Sequence, residues 1–171
     1  VMTSSPKPRI GFAGLGLMGI RMAPHFLEKG YALTVWNRTT EKCEALRARG
    51  AAVAATPKDL AAASDVVFCC LSDPAAVERL IFAEDGLVHG ARPGFRYVET
   101  STISPDLSRK VDAALSAKGA AMLEAPVTGS KNGAQNASLL LMTGGSKDVY
   151  DELLPLLQVI GSKAIHCGPM G

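Results

Sequence analysis

Apolar residues in this chain fall into two textures that alternate from end to end. Short, nearly unbroken apolar runs occur at Ile10 to Ala13, Ala32 to Trp36, Asp65 to Leu71, Tyr97 to Thr100, Ala121 to Ala125 and Leu139 to Thr143. Runs of that length read as strands buried on both faces of a parallel sheet. Between them the apolar positions recur at helical spacing, as Met22, Ala23, Phe26 and Leu27 do after the first run, and as an amphipathic stretch does from Thr40 to Arg49. Further helices open at Thr56-Pro57, Asp73-Pro74 and Ser104-Pro105, where a capping side chain precedes a proline suited to the first helical turn. The Ser104 helix runs toward Lys118, a short strand lies near Ala52 to Ala54, and a helix from Ser146 to Ile160 precedes a last strand from Lys163 to Cys167. Only Pro126 to Gly133 breaks the rhythm, as a polar, glycine-containing turn leading into a short helix over Asn132 to Ala137. Alternating β and α predicts an α/β, Rossmann-type doubly wound, mostly parallel sheet with helices on both faces. Residues 9–171 form one domain behind a flexible segment, 1–8, with no internal repeat or linker.

In such a sheet, ligands bind beyond the carboxyl ends of the strands, so the residues that follow each strand carry the chemistry. The first strand is followed by Gly14-Leu15-Gly16-Leu17-Met18-Gly19, a G-x-G-x-x-G turn at the mouth of a helix. Gly14 permits the tight turn, Gly16 lets a pyrophosphate approach the backbone, and Gly19 lets helix and strand pack closely. The second strand ends at Asn37-Arg38-Thr39. An NAD-selective site usually carries an acidic residue there, for the ribose 2′-hydroxyl. Here Arg38 offers a planar fork of donors to a 2′-phosphate instead, with Asn37 and Thr39 as neutral donors and Lys42 a helical turn further on. The predicted cofactor is therefore NADP(H). Leu71-Ser72-Asp73-Pro74 is expected alongside the nucleotide, with Asp73 serving equally well as a plain helix cap. Glu99 to Thr102 is expected near the nicotinamide, and Thr128-Gly129-Ser130 opposite it. That last turn is either a carboxylate cradle or an ordinary turn capped by its hydroxyls.

Composition narrows the classes further. The chain has 171 residues, 47% hydrophobic and 20% charged, with a formal net charge of +2. That balance suits a soluble globular domain, and the charge is too small for a nucleic-acid footprint. No apolar run reaches the length of a membrane span and Val1 to Arg9 lacks the apolar core of a secretory signal, so the expected location is intracellular, cytoplasmic or organellar. The cysteines at 43, 69, 70 and 167 have no metal-site spacing and read as reduced thiols. His25, His89 and His166 stand apart from any partner motif and read as structural.

Three separated motifs now carry a resemblance. Gly11-Phe-Ala-Gly-Leu-Gly-Leu-Met-Gly19, Glu99-Thr-Ser-Thr-Ile-Ser-Pro105 and Ala125-Pro-Val-Thr-Gly-Ser130 together resemble the β-hydroxyacid dehydrogenases, the group that includes 3-hydroxyisobutyrate dehydrogenase. Val35-Trp-Asn-Arg-Thr39, Leu71-Ser-Asp-Pro74 and Gly129-Ser-Lys131 are most similar to plant-type glyoxylate and succinic semialdehyde reductases, which use NADPH. The resemblance implies cofactor contacts from Gly14, Leu15, Gly16, Leu17, Met18, Gly19, Asn37, Arg38, Thr39, Leu71, Ser72 and Thr102. It implies substrate contacts from Ser101, Thr128, Gly129 and Ser130, no metal, and hydride transfer to a small carboxylate-bearing aldehyde or keto acid. The family's serine is Thr128 here and its acidic residue is Glu99. Its catalytic lysine is expected beyond Gly171, with a helical second domain that builds a homodimer or tetramer, since neither Lys131 nor Lys163 matches that lysine's motif. Two alternatives stand beside this reading: a non-catalytic binding or assembly module, and an imine reductase, which shares Trp36-Asn-Arg-Thr39 but not the other two motifs.

Overall fold

The computed structural model describes residues 6–171, so most of the segment expected to be flexible, residues 1–5, lies outside the described residues. The ordered remainder of that segment is anchored: the Lys7 ammonium donates to the Lys29 carbonyl and sits over the Tyr31 ring. Six strands follow one direction: β1 (Ile10–Ala13), β2 (Leu33–Trp36), β3 (Ala52–Val53), β4 (Val66–Cys69), β5 (Arg96–Glu99) and β6 (Ala121–Glu124). They lie in the order β3-β2-β1-β4-β5-β6, all parallel. The doubly wound sheet expected from the sequence is therefore the observed architecture. Beyond β6 the direction reverses, because β8 (Leu139–Gly144) runs antiparallel to β6 and to the short β7 (Val127–Thr128). Glu124 faces Gly144, Val127 faces Leu141 and Thr128 faces Leu140, one unbroken register. β7 thus continues the line of β6 past Ala125-Pro126, carrying the chain out beyond the carboxyl edge of the parallel strands. β9 (Gly161–Gly168) pairs with the other side of β8 and is parallel to it.

The strand pleat sorts the core into two layers. Ile10, Phe12, Val66, Phe68, Val98 and Leu123 point to one face and pack with α1 (Gly19–Met22), α2 (Pro24–Glu28), α3 (Glu44–Arg47), α7 (Ser130–Gln135) and α8 (Lys147–Ile160). The intervening residues Ala13, Val67, Cys69, Tyr97 and Met122 point to the other, under α4 (Pro57–Ala62), α5 (Pro74–Phe82) and α6 (Pro105–Ser116). Caps predicted from sequence are made: Thr56, Asp73 and Ser104 accept from the main-chain N–H three residues on, at 3.1, 2.8 and 3.2 Å. No described helix is long and apolar enough to cross a membrane.

Four segments differ in detail from the sequence expectation. The first helix is broken into α1 and α2 around Ala23, whose backbone is still helical, because Pro24 has no N–H to return to the preceding turn. The stretch from Thr40 opens as a 3-10 turn, Thr40–Cys43, before α3, and the Thr39 side chain makes no cap hydrogen bond that would set an α-helical start. α7 begins at Ser130, earlier than expected, and ends at Gln135 because Ala137 takes a left-handed φ of 51°. β9 is longer than the predicted strand at both ends, since every residue of β8 finds a partner there.

The turn after β1 is the tightest place in the sheet. A Cβ on Gly14, whose φ is +95°, would lie 2.1 Å from the Cys70 carbonyl, and one on Gly19 would lie 1.8 Å from the Gly14 carbonyl. Gly16 has nothing within 4 Å of that position. Gly19→Ala is therefore expected to lower unfolding stability by about 3 kcal/mol or more, through forced backbone movement. Gly16→Ala should stay within about 0.5 kcal/mol of the parent. Urea denaturation of the two variants checks both.

Candidate nucleotide site

A cleft of about 430 Å³ opens at the carboxyl edge, between the ends of β1, β2 and β4 and the helices α4 and α5. It is lined by Gly14 and Gly16 from the glycine turn, by Asn37, Arg38, Thr39 and Lys42 after β2, and by Leu71, Ser72 and Asp73 after β4. At the glycine turn, no hydrogen bond is donated among the described residues by the main-chain N–H of Gly16, Leu17 or Met18. The missing side chain at Gly16 answers no steric need of the fold, because nothing among the described residues comes within 4 Å of where its Cβ would stand. Together the free N–H groups and the open space make a surface on which a pyrophosphate can rest.

Asn37 also has a role within the protein itself. Its Oδ1 accepts from the Leu15 N–H at 2.8 Å and its Nδ2 donates to the Thr39 carbonyl at 2.9 Å. The side chain fastens the glycine turn to the end of β2 and shapes the Arg38 loop. Leu15 itself is buried in the core, whereas Leu17 is 64% exposed beside Gly16. The cleft also takes in residues that the motifs did not single out: Ala55 and Pro57 at the start of α4, and Ala76, Arg79, Leu80 and Ala83 from α5. The spacing of those four, at i, i+3, i+4 and i+7, is the signal that would have placed them on one helix face. Basic Arg38, Lys42 and Arg79 line the cleft together with acidic Asp73 and Asp85.

The other expected site residues lie along the same sheet edge but outside this cleft. Thr102 is exposed after β5, and Thr128, Gly129 and Ser130 are exposed at the end of the β6–β7 line. Gly129 and Ser130 hold left-handed backbone, at φ 132° and 57°, which for serine is a strained conformation. His25 locks this turn's helix onto the cofactor side, with Nε2 2.8 Å from the Ala134 carbonyl. Ser101, expected among the substrate contacts, is only 7% exposed, and its hydroxyl accepts from the Leu71 N–H at 2.8 Å. It ties the β5 loop to the β4 loop, as does Thr100, whose hydroxyl donates to the Cys69 carbonyl at 2.6 Å. Among the described residues no cluster of His, Cys, Asp and Glu could hold a metal ion.

With this geometry in view, comparison with known proteins is direct. Residues 9–168 match the family described as the NAD binding domain of 6-phosphogluconate dehydrogenase. The chain belongs to that family. It is 38% identical over 153 residues to the cytokine-like nuclear factor N-PAC of Danio rerio, covering 90% of this chain and 33% of that protein. It is 34% identical over 162 residues to glyoxylate/succinic semialdehyde reductase 1 of Arabidopsis thaliana, covering 95% and 56%. Among solved structures it is similar to the 3-hydroxyisobutyrate dehydrogenase of Mycobacterium tuberculosis with L-serine, at 31% identity and a TM-score of 0.89, covering 96% of this chain and 56% of that one. The chain therefore spans a third to little more than half of these relatives. What it contains is their NAD(P)-binding domain.

Beneath the site lies a buried carboxyl. Glu99 has no exposed surface; it accepts from the Tyr97 hydroxyl at 2.6 Å and from the Ser101 N–H at 2.8 Å. Burial raises its pKa from 4.5 to about 7, against the lowering effect of the hydrogen bonds from Ser101 and Tyr97. The folded chain thus keeps a proton that the unfolded chain releases near pH 4.5. The contribution to stability is fully present below that pH, falls as pH rises, and is gone above about 7. The difference amounts to about 3 kcal/mol. Glu99→Gln should flatten the stability profile between pH 5 and 8 and exceed the parent's stability at pH 8, as followed by urea denaturation across that range.

Proposed function

We propose that this chain is the NADPH-binding domain of a reductase that passes hydride to a small carboxylate-bearing aldehyde or keto acid. The observation that carries the reading is the chemistry at the end of β2: Asn37, Arg38 and Thr39, with no carboxylate among them, line the cleft that begins at the open Gly16 surface. A 2′-phosphate would meet donors there, whereas a carboxylate in place of Arg38 would repel it. When bound, the nicotinamide supplies the hydride. The chain's own part is to hold the pyrophosphate on the Gly14 to Gly19 turn and the adenosine against Arg38 and Thr39. The loops carrying Leu71, Ser72 and Thr102 then line the way from the nucleotide to the next strand ends.

In this reading Thr128, Gly129 and Ser130 orient the substrate carboxylate from the adjoining strand end, with hydroxyls and main-chain N–H groups as donors. Fixing the carboxylate fixes which face of the carbonyl meets the nicotinamide. In this reading the proton donor and the domain that excludes water belong to the part of these relatives that the chain does not cover. A second reading, a dehydrogenase-like domain that binds or assembles rather than catalyses, draws support from the 38% identity to a relative named as a nuclear factor and not as an enzyme.

Titrations with NADPH and NADH test the cofactor assignment. NADPH should bind about tenfold to a hundredfold more tightly, the worth of a charge-assisted contact of roughly 1.5–3 kcal/mol. Arg38→Glu should abolish the preference, and Gly16→Val should abolish binding of both nucleotides while leaving the fold intact. Equal affinities in the parent would overturn the assignment.

Steady-state NADPH oxidation tests the rest. The 171-residue chain should turn over glyoxylate and succinic semialdehyde at least about a hundredfold more slowly than a chain extended through the following helix and domain, because it lacks a positioned acid. An extended chain that binds NADPH but reduces no short aldehyde or keto acid favours the binding module. One that reduces cyclic imines instead favours an imine reductase.

A further inference from the structure

The arginines of this chain divide sharply by what they touch. Arg9, Arg47, Arg49, Arg92, Arg96 and Arg109 each pair with a carboxylate, and Arg21 donates to the Leu17 carbonyl. Arg38 and Arg79 are the two left over, each without an ion pair or side-chain hydrogen bond among the described residues. Both line the same cleft, from different elements. Arg38 stands on the loop after β2. Arg79 stands on α5, one turn beyond Ala76 on the face that forms the far side of the cleft.

Its surroundings keep that guanidinium available. Glu78, its neighbour in sequence, is drawn off into an ion pair with Lys110. Asp73 is within electrostatic reach of Arg79 but is engaged as the cap of α5, accepting from the Ala76 N–H at 2.8 Å. Asp85 lines the cleft too, and two carboxylates in an anion's pocket would weaken it unless a further cation offset them. A phosphate monoester carries a charge near −2 and three acceptor oxygens, while a single guanidinium fork engages two of them. One arginine leaves such a group incompletely satisfied.

We propose that Arg79 is a second ligand of the adenosine 2′-phosphate, engaging it from α5 while Arg38 engages it from the β2 loop, and so a determinant of cofactor choice. The proposal rests on the NADPH reading above and adds a residue to it that the cofactor motifs do not contain. Ala55, Pro57, Ala76 and Ala83 line the same cleft and give it apolar surface for an adenine ring.

Calorimetric titration with two nucleotide fragments tests it: adenosine 2′,5′-bisphosphate, and adenosine 5′-phosphate, which lacks the 2′-phosphate. Arg79→Ala should weaken the bisphosphate about tenfold and leave the 5′-phosphate unchanged. Arg79→Lys, a charge without the fork, should fall between. Raising salt should narrow the gap between parent and variant for the bisphosphate only. Equal weakening of both fragments would overturn the proposal, since Arg79 would then be touching the base or ribose; so would no weakening of either. If the parent itself bound the two fragments equally and Arg38→Ala changed nothing, the NADPH reading would fall with it. If Arg38→Ala lost the preference and Arg79→Ala kept it, Arg79 alone would be ruled out.

Discussion

Close backbone contact at the end of β1 is the constraint on which the rest of this structure depends. The Gly14 N–H donates to the Trp36 carbonyl at 3.0 Å and the Cys70 N–H donates to the Ala13 carbonyl at 2.9 Å, so three strand ends are drawn into one knot. No side chain fits inside it: both the Cys70 and the Gly14 carbonyls occupy places where a Cβ would stand on Gly14 and Gly19. The Asn37 amide then secures the turn from the second strand. What emerges from the knot is a strip of main-chain N–H groups with open space above Gly16. This open donor surface is thus a by-product of how tightly the chain must turn to start its first helix.

A second set of bonds carries that rigidity across the sheet. Thr100 and Ser101 bind the β4 loop through the Cys69 carbonyl and the Leu71 N–H, and Glu99 holds Ser101 in turn. Placing a carboxyl in this buried knot costs stability at neutral and alkaline pH, where its charge would have to be desolvated. The arrangement sacrifices some stability to hold two loops in register at the point where the cofactor is read to end. Further along, the unbroken β6–β7 register and the His25 contact to Ala134 bring the Thr128 turn beside the helix that starts at the glycine turn. The glycine turn and the Thr128 turn are therefore braced against one another through protein.

Charge follows the same division between scaffold and cleft. Outside the cleft most arginines are neutralised by nearby carboxylates, many of them in exposed pairs worth little to stability. Inside it Arg38 and Arg79 keep their donors unspent. Free cations in a concave surface raise the local concentration of anions and steer their approach, and the effect fades with salt. A net charge of +2 conceals this, because composition sums over the whole surface while a ligand meets only one part of it.

Much of the architecture was legible in the sequence because its signals are local. Buried parallel strands need continuous apolar runs: β1, β2, β4 and β6 lie within the runs that predicted them, while β5 begins one residue before its run and β8 ends one residue after. Capping residues followed by proline marked the starts of α4, α5 and α6, and three glycines at fixed spacing marked the tight turn after β1. Only the folded chain decided the rest, because the deciding contacts join residues far apart in sequence. Pro126 reads as a breaker, yet β7 carries on the register of β6 because β8 supplies partners on both sides of it. Asn37 lines the cleft, and only the fold shows that its amide also joins the Leu15 N–H to the Thr39 carbonyl. Only the fold shows likewise that the Ser101 hydroxyl accepts from the Leu71 N–H. Arg79 belongs to no motif, and only the folded chain shows that it lines the same cleft as Arg38. The identity of a polar residue can be read from sequence; whether its donors are free depends on which partners the tertiary structure brings within about 3 Å of them.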